Sequence, residues 1–210
     1  MIKARLLCAA LLLPLPAMAG PLGGWTEQKF SLFSGNDWRQ GSDSVAVRSN
    51  DTVSMLWTTL PEAEWSSTGA SWSWSVDQSV PATDLARKGG DDRNLSLYFV
   101  FMPEEIARQN VNSGIRQLLD VEEARVLMYV WGGNAQRGAL LGSPYLGGQG
   151  KTVVLRGAGT GAHSERVDLA ADYRRAFGGA PTSLVGLALS ADSDDTNGAI
   201  AASLSGLTLN

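Results

Sequence analysis

Apolar residues recur at every second position in several short stretches of this chain, the period of a strand that buries one face. The clearest stretch is Ser71-Trp72-Ser73-Trp74-Ser75-Val76, where Trp72, Trp74 and Val76 share one side and the serines the other. Two tryptophans on one face bring roughly 300 to 500 Å² of surface to bury. In Leu95-Ser96-Leu97-Tyr98-Phe99-Val100-Phe101 both parities are largely apolar, which predicts an interior strand covered on both sides. Further strands are predicted at 45–48, 53–58, 125–131, 152–156, 165–168, 184–190 and 200–209. In the last of these, Ile200, Ala202 and Leu204 share one parity, and Leu207 and Leu209 the other. A bulge at Gly206 reconciles the two halves, because glycine accepts the bulged backbone.

Helical signals are few. The segment 169–177 has Asp168 as N-cap, Arg174 and Arg175 in its last turn and Gly178 just beyond. Pro103-Glu104-Glu105 opens a second short helix, with the acids near the positive end of the helix dipole. The stretch 109–114 is expected as a loop. Short strands separated by Gly, Ser, Asn and Asp clusters predict an all-β fold, an antiparallel β-sandwich with one or two short helices. No repeat interrupts it, so one domain is expected over 20–210.

The N-terminus changes the arithmetic. Lys3 and Arg5 precede an apolar run at 6–15, and Ala17-Met18-Ala19 offers small residues at a cleavage site before Gly20. Residues 1–19 are therefore expected to be a signal peptide, and the protein to be periplasmic or secreted. Removing Lys3 and Arg5 from 17 basic residues leaves 15 against 21 acidic, a net charge of −6. The sole cysteine, Cys8, leaves with that segment, so disulfides and thiolate zinc sites are excluded from the remainder. An acidic chain without basic runs is a poor partner for nucleic acid. No other stretch is apolar enough to span a membrane.

Recognisable catalytic motifs are missing: there is no G-x-S-x-G elbow, H-E-x-x-H or P-loop. His163 is the single histidine and lies in a polar stretch, expected as an exposed loop. Two acidic clusters carry more chemistry. Lys88-Gly89-Gly90-Asp91-Asp92-Arg93 precedes one strand, and Asp192-Ser193-Asp194-Asp195-Thr196-Asn197-Gly198 joins the last two. Carboxylates interleaved with small polar residues can wrap a hard cation, since Ca²⁺ takes six to eight oxygens. The second cluster matches the EF-hand loop in neither register. The alternative to a cation or ligand role is a tight turn held by Asp and Asn side chains bonding to their own backbone, and Arg87, Lys88 and Arg93 are at hand to pair Asp91 and Asp92, so a structural ion-pair cluster would account for the first motif. Among the seven tryptophans, Trp72 and Trp74 belong to the core by their alternation. Trp57 and Trp131 end apolar strands and fit either role, while Trp38 and Trp65 sit in polar surroundings that suit a sugar-stacking platform. The candidate ligand-binding residues are Lys88, Asp91, Asp92, Trp65, Tyr129, Trp131 and Asp192; the candidate metal ligands are Asp192, Asp194 and Asp195, with calcium as the candidate ion.

Several fragments, in order, carry a family resemblance: Trp72-x-Trp74-x-Val76, Lys88-Gly89-Gly90-Asp91-Asp92, Tyr98-Phe99-Val100-Phe101, Leu127-Met128-Tyr129-Val130-Trp131 and Asp172-Tyr173-Arg174-Arg175-Ala176-Phe177-Gly178. Leu187-Ala188-Leu189-Ser190-Ala191-Asp192-Ser193-Asp194-Asp195-Thr196 closes the set. The chain resembles, from about Trp38 to Leu209, a bacterial secreted family called domain of unknown function 3047, with 103–120 as an insertion. The resemblance implies a jelly-roll or galactose-binding-like sandwich, many of which hold glycans or calcium, and no assigned activity. Fold analogy alone does not fix function.

Three readings follow. The first is a non-catalytic glycan- or cell-envelope-binding module. The second is a polysaccharide-active enzyme, either a hydrolase with paired Asp residues such as Asp91 and Asp192, or a lyase with Tyr129 or His163 as base. The third is a structural envelope protein that binds another protein through a sheet edge.

Overall fold

The computed structural model of the chain describes residues 18–19, 22–30, 34–110 and 113–210. The signal segment expected at 1–19 lies outside the described residues apart from Met18–Ala19. Two sheets form the body. Sheet I contains β1 (Met18–Ala19), β3 (Asp37–Gln40), β4 (Ser44–Asn50), β6 (Gly69–Gln78), β11 (Gly161–Asp168) and β13 (Ala199–Leu209). Its order is β11-β6-β13-β4-β3, with β1 paired to the end of β13. Sheet II contains β2 (Thr26–Lys29), β5 (Val53–Thr59), β7 (Arg93–Met102), β8 (Arg125–Trp131), β9 (Leu140–Ser143), β10 (Gly147–Arg156) and β12 (Ser183–Asp192). Its order is β2-β5-β12-β7-β8-β10-β9. All pairings are antiparallel except β8 with β10, which run parallel because the chain passes first to β9, running the opposite way at the sheet edge, and returns in β10 between the two.

The period-two reading locates the core. Trp72, Trp74 and Val76 of β6 point between the sheets and meet Phe99 of β7 and Tyr129 and Trp131 of β8. Trp72 and Trp74 meet edge to face, with centroids 5.4 Å apart, the arrangement the ring quadrupoles favour. The serines of β6 point outward and bond to their cross-strand counterparts, Ser73 to Ser164 and Ser75 to Ser203. At Gly206 the backbone turns to φ 60° and the β13 register slips between Ser205 and Thr208. Residues of both parities, Leu204 and Leu207 among them, are buried by that shift. The expected bulge is present.

Sheet II is apolar on both faces because both are covered. Its inner face packs on sheet I, and its outer face carries a second cluster under α1 (Glu104–Gln109) and α2 (Ile115–Leu119). A third helix, α3 (Leu169–Phe177), has the predicted termini: Asp168 accepts from the Ala171 N–H at 2.8 Å, and Gly178 takes φ 75°. Alternation is too short to reveal β2, β3 and β9, four residues each, and α2 has too few turns to show a period. No helix among the described residues is long and apolar enough to cross a membrane.

Candidate functional site

The two acidic clusters meet at one end of sheet II. Antiparallel pairing makes this unavoidable: β12 ends at Asp192 where β7 begins at Arg93, and these two residues are register partners. Hydrogen bonds then knit the turns together. The Asp92 carboxylate accepts from the N–H groups of Asp195 (3.2 Å) and Thr196 (2.8 Å) and from the Thr196 hydroxyl (2.5 Å). The Asp91 N–H donates to Asp195 at 3.3 Å. Asp92 is fully buried and acts as the clasp of the 192–198 turn.

Arg93 organises the other acids. Its Nη1 lies 2.8 Å from Asp91 Oδ2 and 3.0 Å from Asp192 Oδ2, Nε donates to Ser96, and Nη2 donates to Tyr98. Burial works against the guanidinium charge, but Tyr98, Asp192 and Asp91 outweigh it and raise the Arg93 pKa. Gly132 makes room: a Cβ there would stand 2.7 Å from Arg93 Cβ and 2.9 Å from its Cα. Asp192 is the strained member. Burial pushes its pKa up to about 8; Arg93 opposes the rise, and the nearby Asp194 and Asp92 carboxylates add to it. Its Oδ2 is held by Arg93, and a side-chain hydrogen bond with Asp194, which needs a proton between the two carboxylates, adds to the rise.

Beside this corner, the outer face of sheet II opens into a cavity of about 380 Å³. One cross-strand row, Ala188–Tyr98–Met128–Thr152, runs along its floor over β12, β7, β8 and β10. Met55, Leu85 and Leu146 add apolar walls, and Asp91, Arg93, Asp192, Asp194 and Asp195 close the polar end. The two exposed large hydrophobics of the described residues, Phe30 (53%) and Tyr145 (55%), both border this cavity. The Tyr145 hydroxyl donates to Asp91 at 3.0 Å, and Lys88 holds its ammonium 5.3 Å from the Tyr145 ring centre. Burial and the Asp91 carboxylate push the Tyr145 phenol up to about 12.

Of the sequence candidates, Asp91 and Asp192 line the cavity, Asp92 clasps the turn behind it, and Lys88 stands at its edge over Tyr145. Three others lie elsewhere. Tyr129 and Trp131 sit between the sheets, where strand parity turns them inward; Tyr129 donates to Asp172, and its pKa is raised first by burial and then by that carboxylate. Trp65 is no platform: it is buried, its indole N–H donates to the Leu60 carbonyl at 3.0 Å, and Arg108 covers its ring. His163 belongs to β11 rather than a loop, half-buried with its ring 5.0 Å from Trp131. The metal-ligand set also shifts. Asp92, Asp194 and Asp195 each bring a carboxylate oxygen within 4.8 Å of the others, a group that could hold a metal ion. Asp192, expected in that set, is tied to Arg93 instead. Tyr145 and Phe30 carry no periodic signal in the sequence, and Met128 and Tyr98 read there only as strand residues.

Together these features define a two-sheet jelly-roll-type sandwich with a small amphipathic cavity on its outer face. The chain belongs to the family described as "Protein of unknown function (DUF3047)", whose model matches residues 23–208. No curated protein matches it. Among solved structures, it is similar to the xyloglucanase domain of NopAA, a type three effector from Sinorhizobium fredii in complex with cellobiose. That similarity has 8% identity and a TM-score of 0.42, over 94% of this chain and 99% of the other. A loop-swap mutant of Necallimastix patriciarum Xyn11A is similar at 11% identity and a TM-score of 0.36, over 88% and 99% of the respective chains.

Proposed function

We propose that this protein is an exported, non-catalytic binding module that takes a glycan unit or other small cell-envelope component into the cavity on sheet II. The observation that carries this reading is the position of Phe30 and Tyr145. Both are exposed and both flank one opening, where exposed apolar surface most often marks a binding site. A cavity of about 380 Å³ is at the small end of the 300 to 1,000 Å³ usual for ligand pockets, so the ligand is a compact group rather than a polymer in a long groove. Export rests on the charge and apolar pattern of residues 1–19.

The rival, a hydrolase using Asp91 and Asp192, has less support. A general acid and a nucleophile need carboxylates free to trade protons or attack. Here one guanidinium nitrogen holds both. A calcium ion on Asp92, Asp194 and Asp195 belongs to the preferred reading, as a brace for the turn that closes the cavity's polar end. The test is a glycan array and an envelope-lipid panel probed with the purified protein, with and without chelator, alongside Tyr145→Ala. Binding that the variant loses supports the proposal. Release of reducing ends from any bound glycan, or binding that survives Tyr145→Ala unchanged, would overturn it.

A further inference from the structure

The polar groups around the cavity are spent on one another. Arg93 uses Nε on Ser96, Nη1 on Asp91 and Asp192, and Nη2 on Tyr98. The Tyr98 hydroxyl shares a further hydrogen bond with Ser190 at 3.1 Å, and the Tyr145 hydroxyl donates to Asp91. Ser143 turns its oxygen onto its own loop, accepting from the Leu146 N–H at 3.1 Å. The surface left for an occupant is apolar. Val100 and Val126 are register partners two residues along their strands from the pair Tyr98 and Met128, and Met55 and Leu85 stand beside them.

That inventory discriminates between the two kinds of envelope component. A sugar ring carries a hydroxyl on nearly every carbon, and each one buried without a partner is penalised. A hydrocarbon chain needs no partner and gains with every methylene it buries. The unbranched thioether side chains of Met55 and Met128 adapt to a flexible occupant. Charge at the mouth narrows the class further. Asp194 and Asp195 are exposed there, Asp91 is already answered by Arg93, and Lys88 rests on the Tyr145 ring. A carboxylate or phosphate beside those two acids would meet like charge.

Resting on the reading of this cavity as the binding site, we infer that its ligand class is an uncharged aliphatic chain, the acyl or alkyl part of an envelope component rather than a sugar. The chain lies over Met128 and Val100. It leaves between Phe30 and Tyr145, the two exposed hydrophobic side chains that border the opening.

The experiment measures calorimetric binding of butan-1-ol, hexan-1-ol, hexanoate and methyl β-glucoside to the purified protein at about pH 7.5, where hexanoate is ionised. Chelator is present throughout, so that no calcium neutralises the acids. Each buried methylene is expected to tighten binding about fourfold, which places hexanol about fifteenfold above butanol. Hexanoate is expected at least about tenfold weaker than hexanol, with the glucoside unbound at about 10 mM. Met128→Trp, which fills the floor, abolishes hexanol binding; if that variant no longer melts cooperatively, Ala188→Leu replaces it. Hexanoate bound as tightly as hexanol overturns the uncharged assignment, and equal binding of butanol and hexanol overturns the aliphatic one. Hexanol binding that survives in the filled variant lies outside the cavity and overturns the inference. Glucoside binding without hexanol binding overturns the inference and leaves the cavity reading standing. Failure of every probe to bind removes both.

Discussion

Arg93 and Asp192 are register partners in the β7–β12 ladder, and the guanidinium Nη1 stands 3.0 Å from the Asp192 carboxylate. The same nitrogen reaches Asp91, two residues back along its own chain, at 2.8 Å. One cation thus ties the loop that enters β7 to the turn that leaves β12. The cavity's polar end is built on that link.

Replacing Arg93 by methionine keeps the side-chain volume and strands two buried carboxylates. Breaking a buried pair from one side costs about 3 to 5 kcal/mol. Urea unfolding above about pH 8, where Asp192 is ionised, is expected to show a loss of that size, shrinking at lower pH as Asp192 takes up its proton. A loss of the same size at every pH would mean that packing, not charge, is what Arg93 supplies.

Asp192 gives stability a pH dependence of known sign. Its pKa rises from 3.8 to about 8 on folding, so the native state holds the proton more tightly than the unfolded chain does. Its contribution is fully present below about pH 4 and is lost as pH rises through about 8. The slope from this one group is no steeper than about 1.4 kcal/mol per pH unit. Denaturation of chelator-treated protein at several pH values in that window measures it, and Asp192→Asn is expected to flatten the profile.

Calcium at Asp92, Asp194 and Asp195 would bind the folded turn and raise the melting temperature with concentration, by about 2.7 kcal/mol of stability at a hundredfold excess over Kd. Asp194→Asn with Asp195→Asn is expected to erase the calcium response while keeping the fold, since both side chains are exposed. Asp92 is unsuitable for that test, because it also clasps the turn. A melting point indifferent to calcium in the parent protein rules the ion out.

Trp74 tests the period-two core. It is buried between the sheets, edge-on to Trp72 and Trp131, and its indole N–H reaches Glu165 at 3.3 Å. Trp74→Ala is expected to cost about 3 to 5 kcal/mol in denaturant unfolding. Ser73→Ala, one position along on the outer face, is expected to change stability by less than about 1 kcal/mol.

The order of residues along the chain was enough to determine the sandwich, the bulge at Gly206 and both ends of α3. Each depends on neighbours one to four positions apart, and period, caps and glycine conformation are local properties. The acidic clusters were legible for the same reason, as runs of like residues. What only the tertiary structure decided is their company. Strand parity sent Tyr129 and Trp131 into the space between the sheets, and a loop fold buried Trp65, so aromatic residues that looked available are core. Tyr145, Phe30 and Met128 come from separate segments and share a cavity because strand order makes neighbours of β5, β12, β7, β8 and β10. That order is fixed by how two apolar faces close on each other, a property of the whole chain that no short window contains.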